Sequence, residues 1–334
     1  MDVNFAKKQY RTVGIVAFVI AVALLVMRIV AYYVNVAFID STMDDAWLEL
    51  LIDAIFSVPV QIGVFLVFPF LMYQLSLKKS VRGVLAFSGY HKCNVWTCVL
   101  SVFLGFTIIF VTMFVSYIWQ IILALFGFFP SGGGTLPETF NAGYFLLMVL
   151  LTAVLPAVCE EFANRGGLLT VMRSSFGKGK TILFIAIAFG LFHQNITQVF
   201  YTALLGGLLA FLVLETGSVF PAIIIHFMNN FMSVYLDSAT TYGWKMGGGL
   251  YEFINGGGWL AVGGAIALSL LAAFGLIVAI VAIARKSRQK DLYLELNTAL
   301  KESGYKVELK DNIFFIGAIV VSASSTLLTY IFGL

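Results

Sequence analysis

Three short stretches of this 334-residue chain set ionisable or amide side chains inside apolar runs. "PAVCEEFANRGG" holds Glu160, Glu161 and Arg165; "FGLFHQN" holds His193; "HFMNN" holds His226 and Asn230. Charged groups at membrane depth are costly, so each needs a partner or a task. Glu161 and Arg165 are spaced i, i+4 and can pair, which makes them a structural ion pair that cancels charge in a low dielectric. Glu160 points about 100° away and stays available as a general acid or base. His226 and Asn230 share one helix face. A glutamate and two imidazoles can hold a divalent metal such as Zn2+ and leave a position open for water. The metal set would be Glu160, His193 and His226. The same groups can also polarise water without a metal, with the Asn230 amide steadying an oxyanion. Either way the chemistry is hydrolysis at a carbonyl. The soluble H-E-x-x-H motif is absent, so any metal site would be assembled across helices. Each histidine alone reads as an ordinary core residue; with Glu160 at matching depth the balance reverses.

The elements that must carry these groups are membrane helices. The chain is 60% hydrophobic and 11% charged, against roughly 25% charged in soluble domains. Apolar runs at 12–36, 51–75, 95–127, 143–172, 181–197, 198–215, 219–236, 259–284 and 312–333 approach or exceed the ~20 residues that a span needs. The expected fold class is therefore all-α, a polytopic transmembrane bundle of about eight to nine helices with the polar site buried between core helices. The 181–215 stretch reads as two short helices or as one hairpin turning near Asn195. Asn195-Ile196-Thr197 then marks a helix end in a short outer turn. The three cysteines (Cys93, Cys98, Cys159) are too few for a disulfide framework, and Cys159 reads as a small buried side chain.

Loop charge gives an orientation. Basic residues fall at Lys7, Lys8 and Arg11, in the 76–94 and 173–180 loops, and at Arg285, Lys286, Arg288 and Lys290. The alternate loops at 37–53, 128–142 and 237–258 carry one lysine between them. By the positive-inside rule the N-terminus is cytosolic and the C-terminus outside. The location expected is a prokaryotic plasma membrane. Helical rise puts Glu160 and His193 each roughly 18–20 Å from the basic end, and His226 and Asn230 roughly 10–17 Å. Residues 1–139 and 237–334 then flank a core at 140–236. A cytosolic amphipathic helix is expected at 291–305, where Leu292, Leu296, Ala299 and Leu300 share a face.

At these motifs the chain resembles the CPBP family of CAAX proteases and bacteriocin-processing membrane proteins, which includes Rce1-like enzymes. The family pattern E-E-x-x-x-R, F-x-x-x-H, H-x-x-x-N is met by Glu160-Glu161 with Arg165, Phe189 with His193, and His226 with Asn230. The resemblance covers roughly residues 140–236. It implies an intramembrane endopeptidase, named a metalloprotease in many members, whose site opens toward the cytosol. Glu160 and His193 would activate water, and His226 and Asn230 would stabilise the tetrahedral intermediate. Asn164 stands where the family has Phe, which affects the shape of the pocket. The implied partners are the bilayer and a peptide or lipidated protein substrate, with no nucleic acid. Two other functions compete: a non-catalytic immunity or scaffold protein of the same fold, and a proton-coupled transporter, whose usual inverted repeats are not seen.

Overall fold

The structure is a computed structural model and describes residues 3–38, 46–129, 136–245, 258–287, 308 and 311–332. The 291–305 segment lies outside the described residues. Among those residues the regular structure is all helical. In chain order the elements are α1 Val3–Phe38, α2 Ala46–Leu77, α3 Val81–Phe87, α4 Val95–Leu125 and α5 Ala142–Ser175. After these come α6 Lys178–Phe192, α7 Val199–Thr216, α8 Phe220–Thr241, α9 Gly258–Ser287 and α10 Ile313–Phe332.

The nine apolar runs each fall on a helix, and among the described residues seven helices are long and apolar enough to cross a membrane. The protein is an integral membrane protein. The other two fall short for different reasons. α6 has 15 residues, about 22 Å of rise against a hydrocarbon core of about 30 Å. α8 is long enough, but its sequence is interrupted by His226, Asn229, Asn230, Ser233 and Asp237. These are the two helices that bring histidines to the site.

The basic segments meet at one end of the bundle. Tyr10 near the start of α1 packs edge-on against Phe176. Ser218 donates to the His91 carbonyl in the loop after α3. Glu215, at the end of α7, is buried and pairs with both Lys178 and Arg285. At the opposite, acidic end, Trp47 of α2 meets Tyr144 of α5, Tyr242 donates to the Pro137 carbonyl, and Tyr330 of α10 donates to the Phe126 carbonyl.

Two of the long helices are irregular. α2 contains a π-helical stretch at Pro59–Val67, and α5 contains two, at Leu150–Val154 and Phe162–Leu168. Such stretches are rare and concentrate where function needs the backbone reshaped. Proline contributes to two of them, since it brings no N–H to the carbonyl one turn back. Pro59 opens the first, and Pro156 leaves the Thr152 carbonyl within the second without its usual donor. The third begins directly after Glu161.

α6 and α7 form a hairpin whose turn is tied to other helices. α6 ends at Phe192, His193 is its C-cap, and Gln194 takes a left-handed φ of 48° with its side chain buried. Backbone inside a bilayer must find partners within the protein, and this turn finds them on three other helices. Arg28 of α1 donates to the His193 carbonyl at 3.3 Å, and Trp119 of α4 to the Ile196 carbonyl at 2.6 Å. Thr329 of α10 accepts from Ile196 N–H at 3.0 Å. Asn195 is spent locally on Thr197 N–H and hydroxyl.

Candidate active site

Glu160, His193, His226 and Asn230 line one cavity of about 1140 Å³. Glu161 and Arg165 are not on its wall; they stand behind it, both fully buried. Arg165 donates to Glu161 Oε1 at 3.0 Å, as the i, i+4 spacing predicts. The same oxygen also takes His226 Nδ1 at 2.9 Å. A carboxylate accepts, so His226 carries its proton on Nδ1 and turns Nε2 away from Glu161. Arg165 is held in turn by the Gly206 carbonyl at 3.1 Å and lies 4.3 Å from the centre of the Phe189 ring. The ion pair therefore does more than cancel charge: it orients a histidine of the site.

His193 is fixed by the same logic. Its Nδ1 lies 2.8 Å from the Phe189 carbonyl, so Nδ1 donates and the Nε2 lone pair is free. The Phe189 ring meets both imidazoles edge-on, at 5.0 Å and 5.8 Å between centres. Glu160 is half-buried and within electrostatic reach of His193. Its Oε1 accepts from Gln61 Nε2 at 2.8 Å, which leaves Oε2 for another donor. Gln61 escaped the sequence reading, although it is a polar residue alone in a long apolar run.

Asn230 is held by a relay that begins at Pro156. The Thr152 carbonyl, denied an N–H by that proline, accepts from Asn230 Nδ2 at 2.9 Å. Asn230 Oδ1 accepts from Asn229 at 3.3 Å, and Asn229 Oδ1 from Thr112 at 3.2 Å. One amide hydrogen of Asn230 is left to offer. Asn164 does not line the cavity; it is buried and donates to the Glu160 carbonyl at 2.9 Å, which helps to hold the carboxylate's backbone. Cys159 is buried and free.

Among the described residues no three His, Cys, Asp or Glu side chains are close enough to hold an ion. One Glu160 oxygen and one nitrogen of each histidine already serve other partners. What this arrangement offers a substrate is the free atoms of the side chains themselves.

The cavity runs toward the acidic end of the bundle. Residues 161–172 are all buried, and on their side the space is filled by Phe162 packed among Phe70, Tyr73 and Tyr90. Along α5 the wall runs from Glu160 back through Pro156 and Thr152 to Met148, and along α8 from His226 out to Asp237 and Thr240. Both directions lead to the acidic end.

Residues 142–232 match the family model described as "Type II CAAX prenyl endopeptidase Rce1-like". Over this segment the chain is similar to Rce1-like domains. The segment carries all the motif residues and falls inside the 140–236 core expected from them. At the family level this match supports a peptidase. No curated protein and no solved structure matches it.

Proposed function

We propose that the chain is an intramembrane endopeptidase in which Glu160 is the general base and His193 orients the attacking water. The observation that carries this reading is the shared wall. Two imidazoles with their Nδ1 atoms tied down, a carboxylate with one oxygen spare and an amide with one hydrogen spare all face one cavity.

The roles follow from the proton inventory. Water gives one hydrogen to His193 Nε2 as a hydrogen bond and its other proton to Glu160 Oε2 as its oxygen attacks the carbonyl carbon. The carbonyl π pair moves to oxygen. The developing charge is met by Asn230 N–H, with His226 held on the same wall through Nδ1 by Glu161. Collapse breaks the C–N bond, and the proton on Glu160 passes to the leaving amine. The basic end is assigned to the cytosol on the positive-inside rule. The substrate class is a membrane-associated or lipidated peptide, in keeping with the name of the matching family.

The test is hydrolysis of a panel of lipidated and unlipidated peptides by detergent-purified protein, wild type beside Glu160→Ala. Cleavage by the wild type that is lost in the variant is the expected result. A folded wild type that cleaves nothing on the panel, while Glu160→Ala binds the same peptides equally well, favours the immunity or scaffold reading instead.

A further inference from the structure

The wall of the cavity on α8 has a pattern that the proposed hydrolysis does not use. His226, Asn230, Ser233, Asp237 and Thr240 all line it. Their spacing of four, three, four and three keeps them on one helix face: eleven residues at 100° each return to within about 20° of the start. The opposite wall is apolar, with Met113 and Phe114 from α4 and Val262 and Ile266 from α9. A polar stripe along one face of a cavity inside a membrane bundle needs a polar occupant. Asn230 and His226 are accounted for at the site, whereas Asp237 lies near the far end of the stripe.

Asp237 also sits in a negative neighbourhood. Glu49, Asp53 and Asp237 all act on Tyr144 at the acidic end. The 237–258 segment beyond carries a single lysine, Lys245, which is exposed. Of these carboxylates Asp237 lines the cavity, and a carboxylate on a cavity wall draws the opposite sign of charge.

We propose that the α8 stripe is a substrate track entered from the acidic end of the bundle, and that Asp237 receives a cationic group of the bound peptide, a lysine or arginine side chain or a free amino terminus. Eleven residues of helix separate His226 from Asp237, about 16 Å. An extended peptide covers that in about five residues. The cation therefore lies about five residues from the scissile bond, and the substrate approaches from the face opposite the basic loops. With the basic loops in the cytosol, that face is the outer one. The inference rests on the hydrolytic reading for the word substrate, but binding and entry can be measured without turnover.

The first arm uses Glu160→Ala protein in detergent and fluorescein-labelled twelve-residue peptides carrying one lysine, moved position by position, or norleucine in its place. Anisotropy is expected to favour lysine on the order of tenfold at one register, the scale of a charge-assisted hydrogen bond. Adding Asp237→Asn should bring the lysine-to-norleucine ratio to near one. A ratio near one already in the Asp237 protein overturns the cation assignment, whether or not the wild type cleaves peptides. A lysine preference that Asp237→Asn abolishes, when the wild type cleaves none of these peptides, keeps the track and sinks the protease.

The second arm reads the entry side. Ser233→Cys, with Cys93, Cys98 and Cys159 replaced by alanine, is exposed to a membrane-impermeant maleimide in sealed vesicles of either orientation. Lys79→Cys in the basic loop marks that side. Labelling of Cys at 233 from the side opposite Lys79→Cys is expected. Labelling from the same side, or from neither, overturns the route.

Discussion

Replacing Glu161 with glutamine separates two roles that its position makes easy to confuse. Its Oε1 receives Arg165 at 3.0 Å and His226 at 2.9 Å, and both Glu161 and Arg165 are fully buried. The neutral amide strands the Arg165 cation, and breaking a buried pair from one side costs about 3–5 kcal/mol. It also strips His226 of the carboxylate that holds its Nδ1 and fixes its tautomer. Losing the carboxylate partner of a working histidine lowers kcat on the order of 10³–10⁴-fold. Both effects are expected in Glu161→Gln, so that variant alone does not decide.

The double variant Glu161→Gln, Arg165→Met decides. Removing the cation removes the stranded charge, and an apolar chain of similar length refills its place against Phe189. Thermal melts in detergent should then move back toward the wild type, less the arginine contact with Phe189, about 1 kcal/mol. Peptide cleavage should stay as low as in the single variant. A double variant that is stable and cleaves at the wild-type rate would refute the reasoning, because Glu161 would then serve Arg165 alone.

Other variants probe the supports of the site. Pro156→Ala restores an N–H beneath the Thr152 carbonyl, so it should compete with Asn230; cleavage falls while the melting temperature holds or rises, read by kcat and a detergent melt. Gln61→Leu takes the hydrogen bond from Glu160 Oε1 and should lower kcat on the order of ten- to a hundredfold with little change in KM, as fits loss of a bond to a charged carboxylate worth about 1.5–3 kcal/mol. Gly167→Ala drives a methyl into the Tyr73 ring; overpacking of this kind costs about 1–3 kcal/mol, and a lowered melting temperature checks it. Because no three donors gather at the site among the described residues, cleavage should persist in a chelator; loss of activity restored by added zinc would overturn that expectation.

The sequence disclosed what depends on distance along a helix and concealed what depends on rotation about it. Apolar runs located the helices, and counting residues from the basic loops brought Glu160, His193, His226 and Asn230 to similar depth, because rise per residue is nearly constant. Azimuth is set by packing, and here also by the π-helical stretches at Pro59–Val67, Leu150–Val154 and Phe162–Leu168, each of which shifts the register of the helix beyond it. The i, i+4 rule predicts that Glu161 meets Arg165, but nothing local could show His226, 65 residues on, meeting the same oxygen. Arg28 has no legible role in the sequence for the same reason: its partner is the carbonyl of a turn 165 residues away. Two signals were nevertheless open to reading. Pro156 stands four residues after Thr152, so a carbonyl in need of a donor was foreseeable. The 4-3-4-3 spacing from His226 to Thr240 is a polar face written directly in the chain. An apolar helix needs no such face to sit in lipid, and a catalytic histidine and asparagine explain only its first turn. The rest of that face, Ser233, Asp237 and Thr240, points along the cavity to the end where the loops are acidic. That direction is what the proposed substrate track rests on.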